Sequence, residues 1–270
     1  MKHRLFIVLF ALSVVACSCG GATQKRGGGA AKSEPAAPQL KHYTYRIVAE
    51  LPHSTDSYTQ GFLYDNGDFV ESTGGYGSSV LQRVNPATGE AKSSVALSRN
   101  YFGEGLTLLG DKLYQLTWRK GRAFVYDRAS LRKVGEFSYE GEGWGLATDG
   151  ELLYMSNGSG EIAVRNPKNF EVVRTIPVTI GRTKASSLNE LEWIGGELWA
   201  NVYLTDQILR IDPATGRVVG IIDLAELQSP ADRTYNTDVL NGIAHDPATG
   251  TIWLTGKNWN KVYQVEIVEK

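Results

Sequence analysis

Cysteine is nearly missing: among 270 residues only Cys17 and Cys19 carry a thiol, and both stand close to the start of the chain. The remainder of the chain can have neither a disulfide framework nor a thiolate metal site, so it must hold together by packing. Long amphipathic helices are missing too; residues 224–227 are the one short stretch that reads as a helical turn. No apolar run crosses a bilayer comfortably, residues 5–15 falling short. Nor is there a basic tract. With 28 Lys and Arg against 29 Asp and Glu the formal charge is -1, which argues against a nucleic-acid partner.

The start of the chain reads as an export signal, with Lys2 and Arg4, the apolar run and then small Ala16. Val14, Val15, Ala16 and Cys17 resemble the lipobox of bacterial lipoproteins, in which the signal is cut before the cysteine and that cysteine is acylated. The likeness implies a signal peptide over residues 1–16 and a lipidated Cys17. Residues 17–40 would then be a flexible tether, since Gly, Ala, Ser, Lys and Pro there offer too little apolar surface to repay the entropy of ordering. It also implies export to the bacterial cell envelope, on the periplasmic face or in the outer membrane. An ordinary cleaved secretory signal is the plainer alternative.

From residue 41 to 270 the chain is rich in Tyr, Trp, Val, Ile and Leu, as suits a single all-β domain. Its strongest signal is a repeat. Gln60-Gly61-Phe62, Glu104-Gly105-Leu106, Trp144-Gly145-Leu146, Asn189-Glu190-Leu191 and Asn241-Gly242-Ile243 each open a short apolar strand, at intervals of roughly 40–52 residues. Second strands come next, and in four repeats a third and fourth. The turn Asn85-Pro86-Ala87-Thr88-Gly89 recurs as Asp212 to Gly216 and, between other strands, as Asp246 to Gly250, so it marks turns and carries no chemistry. The fifth repeat has three strands, and an unpaired strand at residues 45–51 precedes the first. Pairing it with residues 262–267 predicts a five-bladed β-propeller whose last blade is closed by the N-terminal strand.

In such a ring the first strands line the central channel and equivalent residues converge at its mouth. Gln60, Glu104, Trp144, Asn189 and Asn241 hold one equivalent position; Trp118, Asn157, Tyr203 and Lys257 end the second strands. One carboxylate, several amides, one ammonium and aromatic walls suit a small amide-bearing ligand. Each residue also has a plainer reading: Glu104 between two glycines as a solvated turn, Trp118 and Trp144 as packing between blades, Asn189 and Asn241 as partners of loop carbonyls, Lys257 as a surface lysine. His42, His53 and His245 occupy no repeated position and receive no role.

Six segments in register, Tyr58-Thr59-Gln60-Gly61-Phe62, Phe102-Gly103-Glu104-Gly105, Gln115-Leu116-Thr117-Trp118, Gly143-Trp144-Gly145-Leu146, Leu188 to Trp193 and Leu254 to Trp259, closely resemble the papaya-type glutamine cyclotransferase family of plants and bacteria. The resemblance implies an enzyme that converts the N-terminal glutamine of peptides or proteins to pyroglutamate with release of ammonia. Glu104 would be the catalytic acid and base, and Tyr58, Gln60, Phe102, Trp118, Trp144, Asn189, Tyr203 and Lys257 would surround the substrate. Gln60, Trp118, Asn189 and Lys257 are then the expected donors to the oxyanion. Tyr203 stands where the family commonly has Trp, Tyr58 where it has Phe, and Asn157 where it more often has Asp. No cofactor is expected for catalysis, a calcium ion in the channel stays open as a structural metal, and the expected protein is a monomer.

Two other readings use the same residues. A calcium-dependent lactonase-type propeller would use Glu104, Asn157, Asn189 and Asn241 as oxygen ligands, but that type has six blades against five counted here. A non-catalytic propeller that binds envelope proteins is the third, because a fold does not fix a function.

Overall fold

The computed structural model describes residues 39–270; the expected signal peptide, Cys17 and nearly all of the expected tether lie outside them. The chain enters through β1 (Lys41–Pro52) and then runs through five antiparallel meanders. The first is β2 (Thr59–Asp65), β3 (Asp68–Thr73), β4 (Val80–Val84) and β5 (Ala91–Ala96). The second is β6 (Gly103–Leu109), β7 (Lys112–Thr117), β8 (Arg122–Asp127) and β9 (Lys133–Ser138). The third is β10 (Leu146–Thr148), β11 (Leu153–Met155), β12 (Glu161–Arg165) and β13 (Val172–Pro177), followed by the small hairpin β14 (Thr179–Ile180) and β15 (Thr183–Lys184). The fourth is β16 (Leu188–Ile194), β17 (Glu197–Val202), β18 (Gln207–Ile211) and β19 (Val218–Asp223). The fifth is β20 (Leu240–Asp246), β21 (Thr251–Gly256) and β22 (Lys261–Glu269), completed by β1.

That completion is the expected pairing, with Tyr45 opposite Ile267 and Leu51 opposite Val262. A second contact of β1 was not expected. Its first residues, Lys41 to Tyr43, pair in parallel with Gly220 to Ile222 of β19, so the fourth and fifth meanders join into one eight-stranded sheet. The short helix also falls elsewhere. Residues 224–227 form a single turn closed by Leu227 N–H donating to Leu224 O, and Glu226 takes a φ of 67°, outside the helical region. One 3-10 turn occurs at Pro230–Asp232.

Burial explains which strands are innermost. The openers β2, β6, β16 and β20 are buried along most of their length, whereas β5, β9 and β13 are largely exposed. The openers are therefore covered on both faces, their polar residues as well as their apolar ones. They contact one another in the order β2, β6, β10, β16, β20 and back to β2. The core divides the same way. Leu63, Val70 and Leu81 of the first meander pack against Leu106, Leu113 and Phe124 of the second, and Phe62 and Phe69 pack against Trp253 and Val262 of the fifth. The repeated turns do what their residues predict: Asn85, Asp212 and Asp246 each accept the N–H two residues on, and a glycine with positive φ ends each turn.

Candidate active site

The repeated glycine beside each opener lets neighbouring openers meet. A Cβ on Gly105 would stand 2.5 Å from Trp144 O, and one on Gly145 2.0 Å from Asn189 O. In the fourth repeat Glu190 replaces this glycine. Its carboxylate instead bridges to its neighbours, accepting the N–H of Ile243 at 3.1 Å and of Phe62 at 3.4 Å.

Beside that glycine the ladder slips. Register shifts fall between Thr59 and Gly61, Gly103 and Leu106, Leu188 and Leu191, and Leu240 and Ile243. Such irregularities re-aim a side chain, and they bracket Gln60, Glu104, Asn189 and Asn241. Freed from its own ladder, Gly105 N–H donates across to Trp144 O at 2.6 Å.

The result is a cavity of about 520 Å³ lined by all nine residues expected of the site: Glu104, Tyr58, Gln60, Phe102, Trp118, Trp144, Asn189, Tyr203 and Lys257. Asn157 and Asn241 are not among its lining. Asn157 is exposed and caps its own turn by accepting from Ser159 N–H at 3.1 Å. Asn241 lies behind Gln60, donating to Gln60 Oε1 at 3.3 Å and to Thr59 O at 2.9 Å, and so fixes which way the Gln60 amide points.

Gln60 Nε2 donates to Glu104 Oε1 at 2.9 Å. The Glu104 backbone is held from behind: Ser72 Oγ donates to Glu104 O, Gln115 Nε2 to Ser72 Oγ at 2.8 Å, and Tyr126 Oη to Gln115 Oε1 at 3.0 Å. Only 3% exposed, Glu104 has its pKa pushed well above the usual carboxylate range by desolvation. Lys257 opposes that rise, the charge of Glu142 adds to it, and the hydrogen bond from Gln60 opposes it.

The walls form a closed circuit. Trp118 meets Phe102 with ring centroids 5.5 Å apart, and Phe102 meets Tyr58 edge-on at 6.2 Å. Lys257 Nζ lies 4.8 Å from the Tyr58 ring centre and 5.0 Å from that of Tyr203, which meets Trp144 edge-on at 5.5 Å. Burial lowers the Lys257 pKa, against the pull of Glu104 and Asp238. The hydroxyl that distinguishes Tyr58 from Phe donates to Asp238 Oδ2 at 3.0 Å. The circuit closes through Glu142, whose Oε2 accepts from the indole N–H of both Trp118, at 2.8 Å, and Trp144, at 3.0 Å.

These bonds alter the expected donor set. The single Trp118 N–H is engaged by Glu142, whereas Lys257, the Asn189 side chain and the second N–H of the Gln60 amide stay available. Asn189 Oδ1 has no partner among the described residues. Glu142 itself was not foreseen, although Gly141-Glu142-Gly143 spells the same Gly-Glu-Gly as residues 103–105 and could have drawn attention to it. Among the described residues no group of three or more His, Cys, Asp or Glu side chains stands together as metal ligands.

A family model described as glutamine cyclotransferase matches residues 16–267. The chain belongs to the glutamine cyclotransferase family. Similar to it is a glutaminyl-peptide cyclotransferase of Arabidopsis thaliana, 41% identical over 225 residues, which are 82% of this chain and 70% of the plant protein. Among solved structures, that of Myxococcus xanthus glutaminyl cyclase has a TM-score of 0.81 at 34% identity, and the match covers 86% of this family member and 100% of the Myxococcus chain.

Proposed function

We propose that this chain is a glutaminyl-peptide cyclotransferase, converting N-terminal glutamine of peptides or proteins to pyroglutamate. The observation that carries the reading is Glu104, a buried carboxyl group with a raised pKa beneath an aromatic-walled cavity of this family. The neutral α-amine of the substrate attacks its own γ-carboxamide carbon, forming the ring C–N bond. Glu104 takes a proton from that nitrogen and returns it to the departing one, so the other C–N bond breaks and ammonia leaves. Nothing else is consumed. Because the attack is intramolecular, much of the acceleration comes from holding the side chain curled toward the amine, a task suited to the walls of Tyr58, Phe102, Trp118, Trp144 and Tyr203. Lys257 and Asn189 supply polar contacts as the carbonyl oxygen gains charge.

In the same reading the five meanders are blades of a five-bladed β-propeller, a description that the cyclic order of the openers supports. The protein is a monomer, exported and acylated on Cys17 in a bacterial envelope; the pattern Val14 to Cys17 supports the anchor. Catalysis uses no metal, and calcium in the channel would serve structure alone.

The test is a Gln-initiated peptide incubated with the purified chain near pH 8, with and without chelator, while ammonia release and the matching mass loss are followed. Cyclisation is expected in both conditions, falling at least about 10³-fold in Glu104→Gln while the peptide still binds. A folded wild-type chain that releases no ammonia, or full activity in Glu104→Gln, overturns the reading.

A further inference from the structure

Two tryptophans form much of the cavity wall, and neither uses its N–H inside the cavity. Both donate to the same atom, Glu142 Oε2. The other oxygen, Oε1, accepts from Arg119 Nε at 2.8 Å, and the Arg119 guanidinium lies 3.7 Å from the centre of the Trp118 ring. One carboxylate thus joins Trp118, directly after β7 of the second meander, to Trp144, which precedes β10 of the third. Elsewhere the wall is held by ring contacts, by Lys257 and by the bond from Tyr58 to Asp238; here one hydrogen-bonded anion joins two wall residues.

We propose that Glu142 is a positioning residue of the active site, fixing the rotamers of Trp118 and Trp144 and adding a negative charge near Glu104. The proposal rests on the cyclotransferase reading and deepens it. Three donors already engage this carboxylate and Glu142 is not among the residues that line the cavity, so its action passes through its neighbours. An indole whose N–H is tied down to a carboxylate is restricted in its rotamer. Burial alone would raise the Glu142 pKa, but the bonds from Trp144, Arg119 and Trp118 hold it below the usual carboxylate range, so the group stays charged at neutral pH. That charge disfavours ionisation of Glu104. Lys257 acts in the opposite sense, and Tyr58 and Tyr139 are the other titratable groups coupled to Glu104. Arg119 is more than half exposed, so its pairing contributes little by itself.

Glu142→Gln keeps the shape and one acceptor oxygen but removes the charge; Glu142→Ala removes both. The experiment combines the pH profile of kcat/KM with the indole N–H resonances of wild type and Glu142→Gln, assigned through Trp118→Phe and Trp144→Phe. In Glu142→Gln the limb due to Glu104 is expected to move to lower pH and both indole resonances to shift. KM is expected to rise about tenfold or more in Glu142→Ala, the scale of a lost charge-assisted hydrogen bond. Unchanged indole resonances in Glu142→Gln overturn the proposal, and so does a fall in melting temperature with KM and the pH limb unmoved. The indole signals do not depend on turnover. A wild-type chain that shows them but cyclises nothing would end the cyclotransferase reading while leaving the Glu142 bonds demonstrated.

Discussion

Lys257 shows what a single buried charge does in this site. Its side chain is 3% exposed and its ammonium rests against two rings, so desolvation weakens its hold on the proton, while Glu104 and Asp238 strengthen it. Lys257→Met keeps the stem and the volume and deletes the charge. Turnover is expected to fall about 10²-fold, the scale seen when a preorganised group stabilising an oxyanion is removed. Because Lys257 opposes the rise in the Glu104 pKa, its loss lets that pKa climb further, and the Glu104 limb of the kcat/KM profile should move to higher pH. The opposite shift expected of Glu142→Gln makes the pair a test of sign. Seven of the nine cavity residues are legible in the repeat, which fixes their rank in each meander; Tyr58 and Phe102 are implied only by the family resemblance, and the repeat also ranks Asn157 and Asn241, which do not line the cavity. Glu142 and Asp238 were not legible, because both lie in loops, where no periodicity marks the direction of a side chain.

At the scale of elements, a buried ion pair ties the first meander to the fifth. His53, in the loop after β1, faces Glu71 of β3 at 3.1 Å through Nε2 and Trp259 O, ahead of β22, at 2.8 Å through Nδ1. Glu71 also accepts from Thr59 Oγ1 at 2.7 Å, Gln82 Nε2 at 2.9 Å and Ser57 Oγ at 3.0 Å. Burial works against the charged imidazole, but Glu71 and the Trp259 carbonyl outweigh it, so the His53 pKa is raised; burial likewise works against the Glu71 carboxylate, and His53 outweighs it, so that pKa is lowered. The stabilisation due to His53 is complete below its unfolded value of about 6.5 and is lost as pH climbs through the folded one. That due to Glu71 is present above about 4.3 and is lost as pH falls through its lowered value. His53→Asn should therefore cost about 3 kcal/mol or more near pH 6, where it strands a buried carboxylate. Melting curves should show the gap from wild type narrowing toward pH 9; a gap independent of pH would mean that packing alone is at stake. The sequence does not display this pair, since His53 is outside the repeat and Glu71 sits in a strand where a lone acid reads as a solvent-facing position.

For the whole molecule the decisive element is β1, which pairs along its length with β22 and at its start with β19. The closing pair was legible because the strand count left one strand over at the start and the fifth repeat one strand short, and unpaired edges are costly. The pairing to β19 was not, because three residues in parallel register leave no pattern of their own. Their seat is physical: Gly220 lies opposite Lys41, and a Cβ there would stand 2.8 Å from the Tyr43 ring, while Arg210 lies 4.6 Å from the centre of that ring. If β1 fastens the ring, a chain starting after Pro52 loses the strand between β19 and β22 and exposes both edges. The buried contacts of Tyr43 with Ile222, Tyr263 and Val265 are part of the same core and would go with it. At roughly 2–4 °C per kcal/mol for a chain of this size, the loss should lower the melting temperature by more than about 10 °C and bring concentration-dependent association through the bared edges. Calorimetry with light scattering on the truncated and full chains would decide it. A truncated chain that stays monomeric and melts where the full chain does would mean that the five meanders hold one another through the packing of their openers, with β1 an accessory.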